Sequence, residues 1–262
     1  MKTALITGAS NGIGKELAYL MAQDKVNLVL VARSIDKLQE IAAEIKSKFN
    51  IEVETIQSDL SDPQAAKKIF DLVTNKGIFV DVLVNNAGFG DLDKFSVAKL
   101  SKYENMLNLN ILALTQLTAL FSEKMKEQKT GHILNVASTA AFQPLPYFSV
   151  YAATKAYVLS FSEALHYELM NYGVNVSVLC PGPTDTGFAQ AADIKSAAMF
   201  DEKKGGMSAQ KVAQIAYKKL KKRKMTIVTG FLNKLNAYFS PKMPARCFVP
   251  KLMEKQFTKM IK

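Results

Sequence analysis

The chain has 262 residues, of which 48% are hydrophobic, and its formal net charge at neutral pH is +11. A chain of this size can bury a full core, and no linker rich in Pro, Gly or Ser divides it. Two cysteines are too few for a disulfide framework, and no stretch offers the ~20 uninterrupted apolar residues of a membrane span. We therefore expect one sizeable globular domain.

The cysteines and the first predicted strand indicate the compartment. That strand begins at residue 2 or 3 and leaves no room for a signal peptide, so we expect a reducing cytoplasm. Cys180 ends an apolar strand and should be a buried thiol. Since His132 and His166 are isolated in the sequence, we expect no metal site.

A glycine-rich turn lies near the amino terminus, between an apolar strand over residues 2–7 and a helix with apolar residues at helical spacing. Backbone N–H groups point outward at such a turn, and the dipole of the helix favours a pyrophosphate. Glycines are needed there because a side chain would block the approach of the phosphate. The turn reads Thr7-Gly8-Ala9-Ser10-Asn11-Gly12-Ile13-Gly14.

Strands and helices alternate along the rest of the chain. Further strands are predicted over residues 27–32, 52–57, 80–84, 132–137, 175–179 and 225–228. Helices are predicted over residues 35–48, 62–74, 101–126 and 150–172, with one more beginning near residue 208. This alternation predicts an α/β fold: a doubly wound, mostly parallel, seven-stranded Rossmann sheet with helices on both faces. Ligands then bind beyond the carboxyl ends of the strands.

Tyr151 and Lys155 are four residues apart in the predicted helix over residues 150–172 and therefore share one face. The phenol of a tyrosine has a pKa of roughly 10, and a nearby ammonium should lower that pKa. Ser138 offers a neutral hydroxyl that can hold a substrate oxygen. This set can move a proton on or off a carbonyl or alcohol oxygen. A lysine-rich chain could also produce the Tyr–Lys spacing by chance.

In order and spacing, these motifs resemble the short-chain dehydrogenase/reductase family of the single-domain type. The resemblance covers about residues 3–190. It is carried by Thr7-Gly8-x-x-x-Gly12-x-Gly14, Asp59-Leu60, Asn85-Asn86-Ala87-Gly88, Asn110, Ser138, Tyr151-x-x-x-Lys155 and Pro181-Gly182.

The resemblance implies four catalytic residues. Tyr151 would be the general acid in reduction or the base in oxidation, Lys155 would lower its pKa and hold the nicotinamide ribose, and Ser138 would orient the substrate oxygen. Asn110 would hold a water in a proton relay. Asn108, two residues earlier, is not expected to have this role. Alternatively, Asn110 is a helix asparagine satisfied by solvent.

The resemblance also implies how a nicotinamide cofactor is held. Asp59 would accept from the adenine amino group, residues 86–88 would line the adenosine side, and the backbone near residues 181–184 would hold the carboxamide. The complete set of cofactor residues is Gly8, Ser10, Asn11, Gly12, Ile13, Gly14, Arg33, Asp59, Leu60, Asn86, Ala87, Gly88, Tyr151, Lys155, Pro181, Gly182 and Thr184.

The end of the second strand favours NADP(H) over NAD(H). Ala32 stands where an NAD enzyme usually has a carboxylate, and Arg33 can pair with a 2′-phosphate. Lys37 could add charge. Asn11 is a departure, because relatives using NADP often carry Arg or Lys there. Arg33 could also be a solvated loop cation.

The basic residues gather at 218–224 and in the last thirty residues. The first run fits a solvated helix end, and because no recognition motif accompanies it we expect no nucleic-acid binding. We divide the chain into a Rossmann domain over residues 1–230 and an amphipathic extension over residues 231–262 that packs on the same domain. The extension could be a lid, a contact in a homodimer or homotetramer, or a peripheral membrane contact.

The function predicted from these motifs is an NADP(H)-dependent oxidoreductase that interconverts a carbonyl and an alcohol. A lipophilic small-molecule substrate is suggested by apolar residues near the site, which could equally be lid packing: Phe89, Phe142, Leu145, Tyr147, Phe148, Phe188, Met199 and Phe200. One alternative is a reductase of a fatty-acyl or steroid-like ketone at a membrane surface. Another is a non-catalytic NADPH sensor, although cofactor binding alone does not require Ser138.

Overall fold

The computed structural model describes residues 1–188 and 206–239, together with residues 250, 254 and 258. Its strands are β1 (Thr3–Thr7), β2 (Asn27–Ala32), β3 (Val53–Gln57), β4 (Val82–Asn85), β5 (Gly131–Val136), β6 (Val174–Cys180), β7 (Thr184–Asp185), β8 (Met207–Ser208) and β9 (Thr226–Val228). Seven of them form a parallel sheet in the order β3-β2-β1-β4-β5-β6-β9, and β7 pairs with β8 separately. The predicted doubly wound α/β fold is confirmed.

The helices of the described residues are α1 (Gly12–Gln23), α2 (Ile35–Phe49), α3 (Ala65–Asn75), α4 (Leu100–Leu107), α5 (Leu114–Glu127), α6 (Ser149–Met170), α7 (Ala209–Lys221) and α8 (Phe231–Phe239). The helix predicted over residues 101–126 is present but not uniform. A π-helical segment, Asn108–Ala113, separates α4 from α5. Such a segment inside an α-helix often marks a functional site, and hydrophobic spacing alone does not reveal it.

Two hydrophobic clusters cover the faces of the sheet. On one face, α1, α2 and α7 contribute side chains such as Leu17, Leu38 and Val212. On the other face, α3, α5 and α6 contribute Ile69, Phe121 and Leu169. All seven residues of β6 are buried, because parallel strands between two helical layers have no solvated face. The strand order reverses between β1 and β4, so their carboxyl ends form the crevice where such folds bind ligands.

Side-chain contacts fix the starts of α1 and α7 at the crevice and tie the ends of the two helices together at the opposite edge of the sheet. The Asn11 side chain accepts from the Gly12 N–H at 2.8 Å and begins α1. The hydroxyl of Ser208 caps α7, which ends in the predicted lysine run. Asp24 binds both Lys221, at 2.9 Å, and the Tyr217 phenol, at 2.8 Å, so the end of α7 is tied to α1.

For the cysteines, metal sites and membrane spans, the structure gives information only on the residues that it describes. Cys180 is a fully buried free thiol, as predicted, whereas Cys247 lies outside the described residues. Within the described part, no group of three or more His, Cys, Asp or Glu side chains could hold a metal ion. None of the helices described here has both the length and the apolar character that crossing a bilayer requires. Residues 189–205, with Met199 and Phe200, and most of residues 240–262 also lie outside.

Candidate active site

The glycine turn after β1 is shaped by close backbone contacts. Gly8 has a φ of +65°, a backbone conformation that residues other than glycine rarely adopt. A Cβ on Gly14 would lie only 2.5 Å from the Gly8 carbonyl oxygen, so the first turn of α1 rests directly on the loop. Any larger residue at position 14 would push the helix N-terminus away from the crevice. The turn therefore has the shape that the predicted pyrophosphate site requires.

Asn86 and Thr7 lock this turn to the end of β4. The Asn86 side-chain amide donates to the carbonyl oxygens of Thr7, at 2.9 Å, and Gly8, at 3.2 Å. The Thr7 hydroxyl accepts from the backbone N–H groups of Asn86 and Ala87, each at 3.0 Å, and lies 3.3 Å from the Val84 carbonyl. Asn86 was predicted to line the adenosine side, and its amide holds the glycine turn. Thr7 was missed as a positioning residue, although a threonine at the end of an apolar strand was the available signal.

A cavity of about 470 Å³ opens at the carboxyl edge of the sheet. It brings together residues from the glycine turn, the end of β4, the segment after β5, the start of α6 and the segment after β6. The predicted site residues that line it are Gly8, Asn11, Gly12, Ile13, Asn86, Ala87, Gly88, Ser138, Tyr151, Lys155, Pro181, Gly182 and Thr184. The predicted residues that do not line it are Ser10, Gly14, Arg33, Asp59, Leu60 and Asn110.

Arg33 and Asp59 lie on the exposed surface beyond the cavity, after β2 and β3. The Arg33 backbone carbonyl accepts from the Gln57 side chain at 3.0 Å, and its guanidinium faces solvent. One Asp59 oxygen accepts from both the N–H and the hydroxyl of Ser61. Leu60 is buried in the core and supports the loop from beneath. These positions follow β2 and β3 at the same carboxyl edge of the sheet as the cavity.

Tyr151 lies in the first turn of α6 with its ring buried against Phe148, at 4.3 Å between ring centres, and near Phe188 at 5.3 Å. Burial raises the pKa of its phenol to about 12, while a hydrogen bond with Ser138 opposes the rise. The expected lowering of this pKa by Lys155 is therefore not found, and burial sets the direction of the shift. The phenol is protonated at neutral pH and can donate a proton.

Lys155 is equally buried and is held by the sheet. Its ammonium donates to the Val136 carbonyl at 2.9 Å and lies 5.7 Å from the centre of the Tyr151 ring. Burial lowers the pKa of the Lys155 ammonium to about 8. Burial thus shifts the pKa values of Tyr151 and Lys155 in opposite directions, because it disfavours the charged form of each group. A proton on Lys155 is easily lost or gained close to neutral pH.

Asn110 lies in the π-helical segment and is only 1% exposed, which rules out the solvent-satisfied alternative, whereas Asn108 is half-buried. Its side-chain N–H groups donate to the Phe89 carbonyl at 2.9 Å and to the Thr154 hydroxyl at 3.1 Å. Its side-chain oxygen accepts from the Phe89 N–H at 3.2 Å. Both amide hydrogens are therefore used in joining the segment after β4 to helix α6.

Thr154 completes this connection, and sequence reasoning missed it. It is fully buried, and its hydroxyl donates to the Tyr151 carbonyl at 2.7 Å while accepting from Asn110. The hydroxyl thus links Asn110 to the backbone of the helix turn that carries Tyr151. Its position directly before Lys155 was the only available signal.

Helix α8 adds residues that the sequence did not predict for the site. Asn233 and Asn236, three apart on this helix, line the cavity, as do Thr186 and Gly187. The Asn233 amide donates to the Thr229 carbonyl at 2.8 Å, and a Cβ on Gly182 would lie 2.2 Å from that amide. Farther along, the Thr258 hydroxyl lies 3.3 Å from the Tyr147 phenol oxygen. The extension therefore contacts the cleft side of the domain.

The family model that matches this chain is that of the short chain dehydrogenases, over residues 2–196. The mouse protein 17-beta-hydroxysteroid dehydrogenase type 3 is 32% identical over 203 residues, which are 76% of this chain and 65% of that protein. The human very-long-chain 3-oxoacyl-CoA reductase is 35% identical over 191 residues, covering 68% and 58%. The chain thus matches about three fifths of the length of these curated relatives.

Solved structures agree with the fold. A short-chain dehydrogenase from Sphingobium yanoikuyae in complex with NADPH has a TM-score of 0.83 at 30% identity, covering 92% of this chain and 93% of that one. A short chain dehydrogenase/reductase from Burkholderia phymatum in complex with NAD has a TM-score of 0.81 at 25% identity, covering 92% and 93%. Similar folds therefore hold either nicotinamide cofactor.

The lowered pKa of Lys155 predicts a pH dependence of stability. Below pH 8 the folded protein carries the full penalty of a buried ammonium. Between pH 8 and 10.5 the folded state has lost this proton while the unfolded state keeps it, so stability rises with pH in this window. The melting temperature of the wild type should therefore rise relative to that of Lys155→Met. As a control, the difference in melting temperature between wild type and Lys46→Met, which replaces an exposed lysine, should stay constant as pH rises. If the difference between wild type and Lys155→Met also stays constant, the assigned burial effect is contradicted.

Proposed function

Because the chain belongs to the short-chain dehydrogenase/reductase family of oxidoreductases, we propose that it interconverts a carbonyl and an alcohol with NADP(H). The observation that carries this proposal is the convergence of Ser138, Tyr151 and Lys155 on the cavity beside the glycine turn. A cofactor-binding protein without chemistry would have no use for a serine hydroxyl that bonds the buried phenol. The same observation disfavours the alternative of a non-catalytic NADPH sensor.

The residues of the cavity fit a dinucleotide. The left-handed turn at Gly8 and the contact of Gly14 with the Gly8 carbonyl leave backbone N–H groups at the start of α1 for a pyrophosphate. A bound nicotinamide would supply or accept the hydride. At the other end, the segment Pro181–Thr184 lies beside Ser138, since the Pro181 carbonyl accepts from the Thr139 N–H at 2.9 Å. The cradle and the proton-transfer groups thus belong to one continuous crevice.

The protein supplies the proton. Ser138 would hold the substrate oxygen beside the Tyr151 phenol, which donates its proton in reduction and recovers it in oxidation. A charged Lys155 would stabilise the phenolate that remains, and its pKa of about 8 lets it release or take up a proton at little cost. Asn110 and Thr154 hold the π-helical segment and α6 in register, so the phenol stays aimed at the cavity.

NADP(H) is proposed over NAD(H) from the end of β2. Ala32 provides no carboxylate to repel a 2′-phosphate, and the exposed Arg33 guanidinium can reach such a group from the open end of the crevice. Ser10 and Asp59 would complete the adenosine end of the site. The solved relatives in complex with NADPH and with NAD are compatible with either choice.

A lipophilic substrate is proposed because apolar side chains wall the cavity around Tyr151. Leu92, Leu145, Phe148 and Phe188 line it and form most of one side. The second candidate is a reductase of a fatty-acyl or steroid-like ketone at a membrane surface. It is favoured by the names of two relatives, an oxoacyl-CoA reductase and a hydroxysteroid dehydrogenase.

We also propose that the protein forms a homodimer or a homotetramer in a reducing cytoplasm. The family resemblance suggests a homodimer or a homotetramer, with residues 1–230 as the Rossmann domain and residues 231–262 as an extension on it. The buried free thiol of Cys180 is compatible with a reducing cytoplasm.

The proposed chemistry is tested with Tyr151→Phe. Purified protein is mixed with NADPH and a panel of carbonyls (a long-chain β-keto thioester, a steroid ketone, a short ketone and an aldehyde), and absorbance is followed. Wild type should turn over at least one lipophilic member, and loss of the general acid should cost about 10²–10⁴-fold. NADPH affinity, measured by fluorescence titration, should be unchanged.

An active Tyr151→Phe variant would remove Tyr151 from its role. Tight NADPH binding by the wild type without turnover of any carbonyl would favour the sensor.

Thr154→Val tests the connection between Asn110 and α6. The substitution keeps the shape of the side chain but removes the hydroxyl, leaving one buried Asn110 N–H unsatisfied at a cost of about 1–3 kcal/mol. We expect kcat to fall about tenfold, since 1.4 kcal/mol corresponds to a factor of ten, while KM and NADPH affinity stay close to wild type. Thr154→Ser restores the hydroxyl and should restore kcat. A variant with a lower melting temperature and an intact kcat would show that Thr154 is only structural.

Arg33→Ala tests the cofactor preference. Loss of a charge-assisted hydrogen bond worth about 1.5–3 kcal/mol should weaken NADPH binding about tenfold or more and leave NADH binding unchanged. Lys48→Ala, which removes an exposed cation from the far end of α2, is the matched control and should change neither affinity. Equal losses for both cofactors in Arg33→Ala would rule out the 2′-phosphate role.

A further inference from the structure

Helix α8 exposes almost all of its large apolar side chains. None of its residues is buried, and the apolar members are exposed by 39% to 74%: Phe231, Leu232, Leu235, Tyr238 and Phe239. In a helix that advances about 100° per residue, these five positions fall on a single face. They form one continuous stripe, here called the α8 stripe, rather than scattered surface contacts.

The opposite face of α8 is polar and points toward the protein. Asn233 and Ala237 are its half-buried residues, and Asn233 is bonded to the Thr229 carbonyl and packed against Gly182. A helix that packs on its own domain normally turns its apolar side inward. The inverted orientation of α8 cannot come from packing against the sheet, and an exposed apolar stripe of this kind marks an interaction surface.

The charge of the segment that contains the stripe indicates its occupant. Lys234 lies beside the stripe on the same helix, and residues 231–262 contain seven Lys or Arg and a single Glu. A stripe of aromatic and leucine side chains with Lys234 beside it, in a segment whose sequence is strongly basic, matches the interfacial region of an anionic bilayer. A second copy of the chain, packed stripe against stripe, would bring two equally basic segments together, and their like charges would repel.

We propose that the α8 stripe docks this protein on the surface of an anionic lipid bilayer, with the mouth of the cavity facing the lipid. Asn233 and Asn236 line the cavity from the inner side of the same helix, so α8 separates the cavity from whatever covers the stripe. A ketone dissolved in the bilayer would then enter beside α8 without crossing water. The delivery of substrate rests on the proposed function, whereas the docking itself does not.

Docking is tested by flotation with vesicles of phosphatidylcholine alone and with vesicles of phosphatidylcholine and phosphatidylserine in equal parts. The full chain should bind the anionic vesicles more tightly, and added salt should weaken the binding. The double variant Phe231→Gln/Leu232→Gln removes the two most exposed apolar groups of the stripe. It should lower vesicle affinity by at least about tenfold, given the apolar area lost.

The matched control is Leu72→Gln/Tyr167→Gln, since these residues are 51% and 63% exposed on α3 and α6. Both lie toward the carboxyl ends of helices that lead back to the amino edge of the sheet, away from the cavity mouth. This control should bind vesicles like the wild type. Turnover of a short soluble ketone should be unchanged in the stripe variant, so a failure of docking and a failure of the proposed chemistry are measured separately.

Four results would overturn the docking proposal. The wild type could fail to bind anionic vesicles, or the stripe variant could bind them as tightly as the wild type does. In analytical ultracentrifugation, the stripe variant could convert a dimer into a monomer, which would make a second copy the occupant. A melting temperature lowered far more than in the control would place the stripe inside the protein's own packing.

Discussion

The site depends on the hydrogen bonds that join the ends of β1 and β4. Thr7 and Asn86 exchange bonds across the switch point of the sheet, and the same Asn86 amide holds the glycine turn. Because these hydrogen bonds join side chains to backbone groups, the ends of β1 and β4 and the start of α1 form one rigid unit. A dinucleotide phosphate needs backbone N–H groups fixed in advance, since ordering a loose loop would cost about 1–2 kcal/mol per residue.

Burial is the common cause of the electrostatics at the proton-transfer site. The phenol of Tyr151 and the ammonium of Lys155 lie in the same desolvated region, and each is pushed toward its neutral form. The neutral phenol carries the proton that reduction needs, but its raised pKa makes it a weak acid, because the phenolate left behind is costly unless a nearby positive charge stabilises it. With its pKa of about 8, Lys155 can supply that charge at neutral pH and lose it at mild alkalinity. The pair therefore acts as a unit whose charge state is set by its surroundings.

Patterns of local sequence predicted the fold and much of the cavity. Uninterrupted apolar strands, such as residues 27–32 of β2, can be read directly because parallel strands are buried on both faces. The glycine turn and Tyr151 with Lys155 have fixed spacings that bring them to one edge of the sheet. The π-helical segment around Asn110 and the role of Thr154 could not be predicted from local sequence, since they depend on contacts between residues 44 positions apart. The raised pKa of Tyr151 was missed for the same reason, because burial is a property of the folded chain.

The two halves of the crevice differ in how far they are specified by local sequence. The half that would hold the cofactor is built from turns that immediately follow strands, so its position is tied to the sheet and could be predicted from the sequence. The half that would take the substrate is lined in part by α8, whose residues come after the last strand of the sheet and reach the cavity only through tertiary packing. Because the apolar side chains of α8 point away from the cavity, the outer contacts of this helix can change without disturbing the glycine turn or Tyr151. Under the proposed function, the choice of substrate, and of the surface from which it arrives, would therefore fall to the part of the chain that the sheet constrains least.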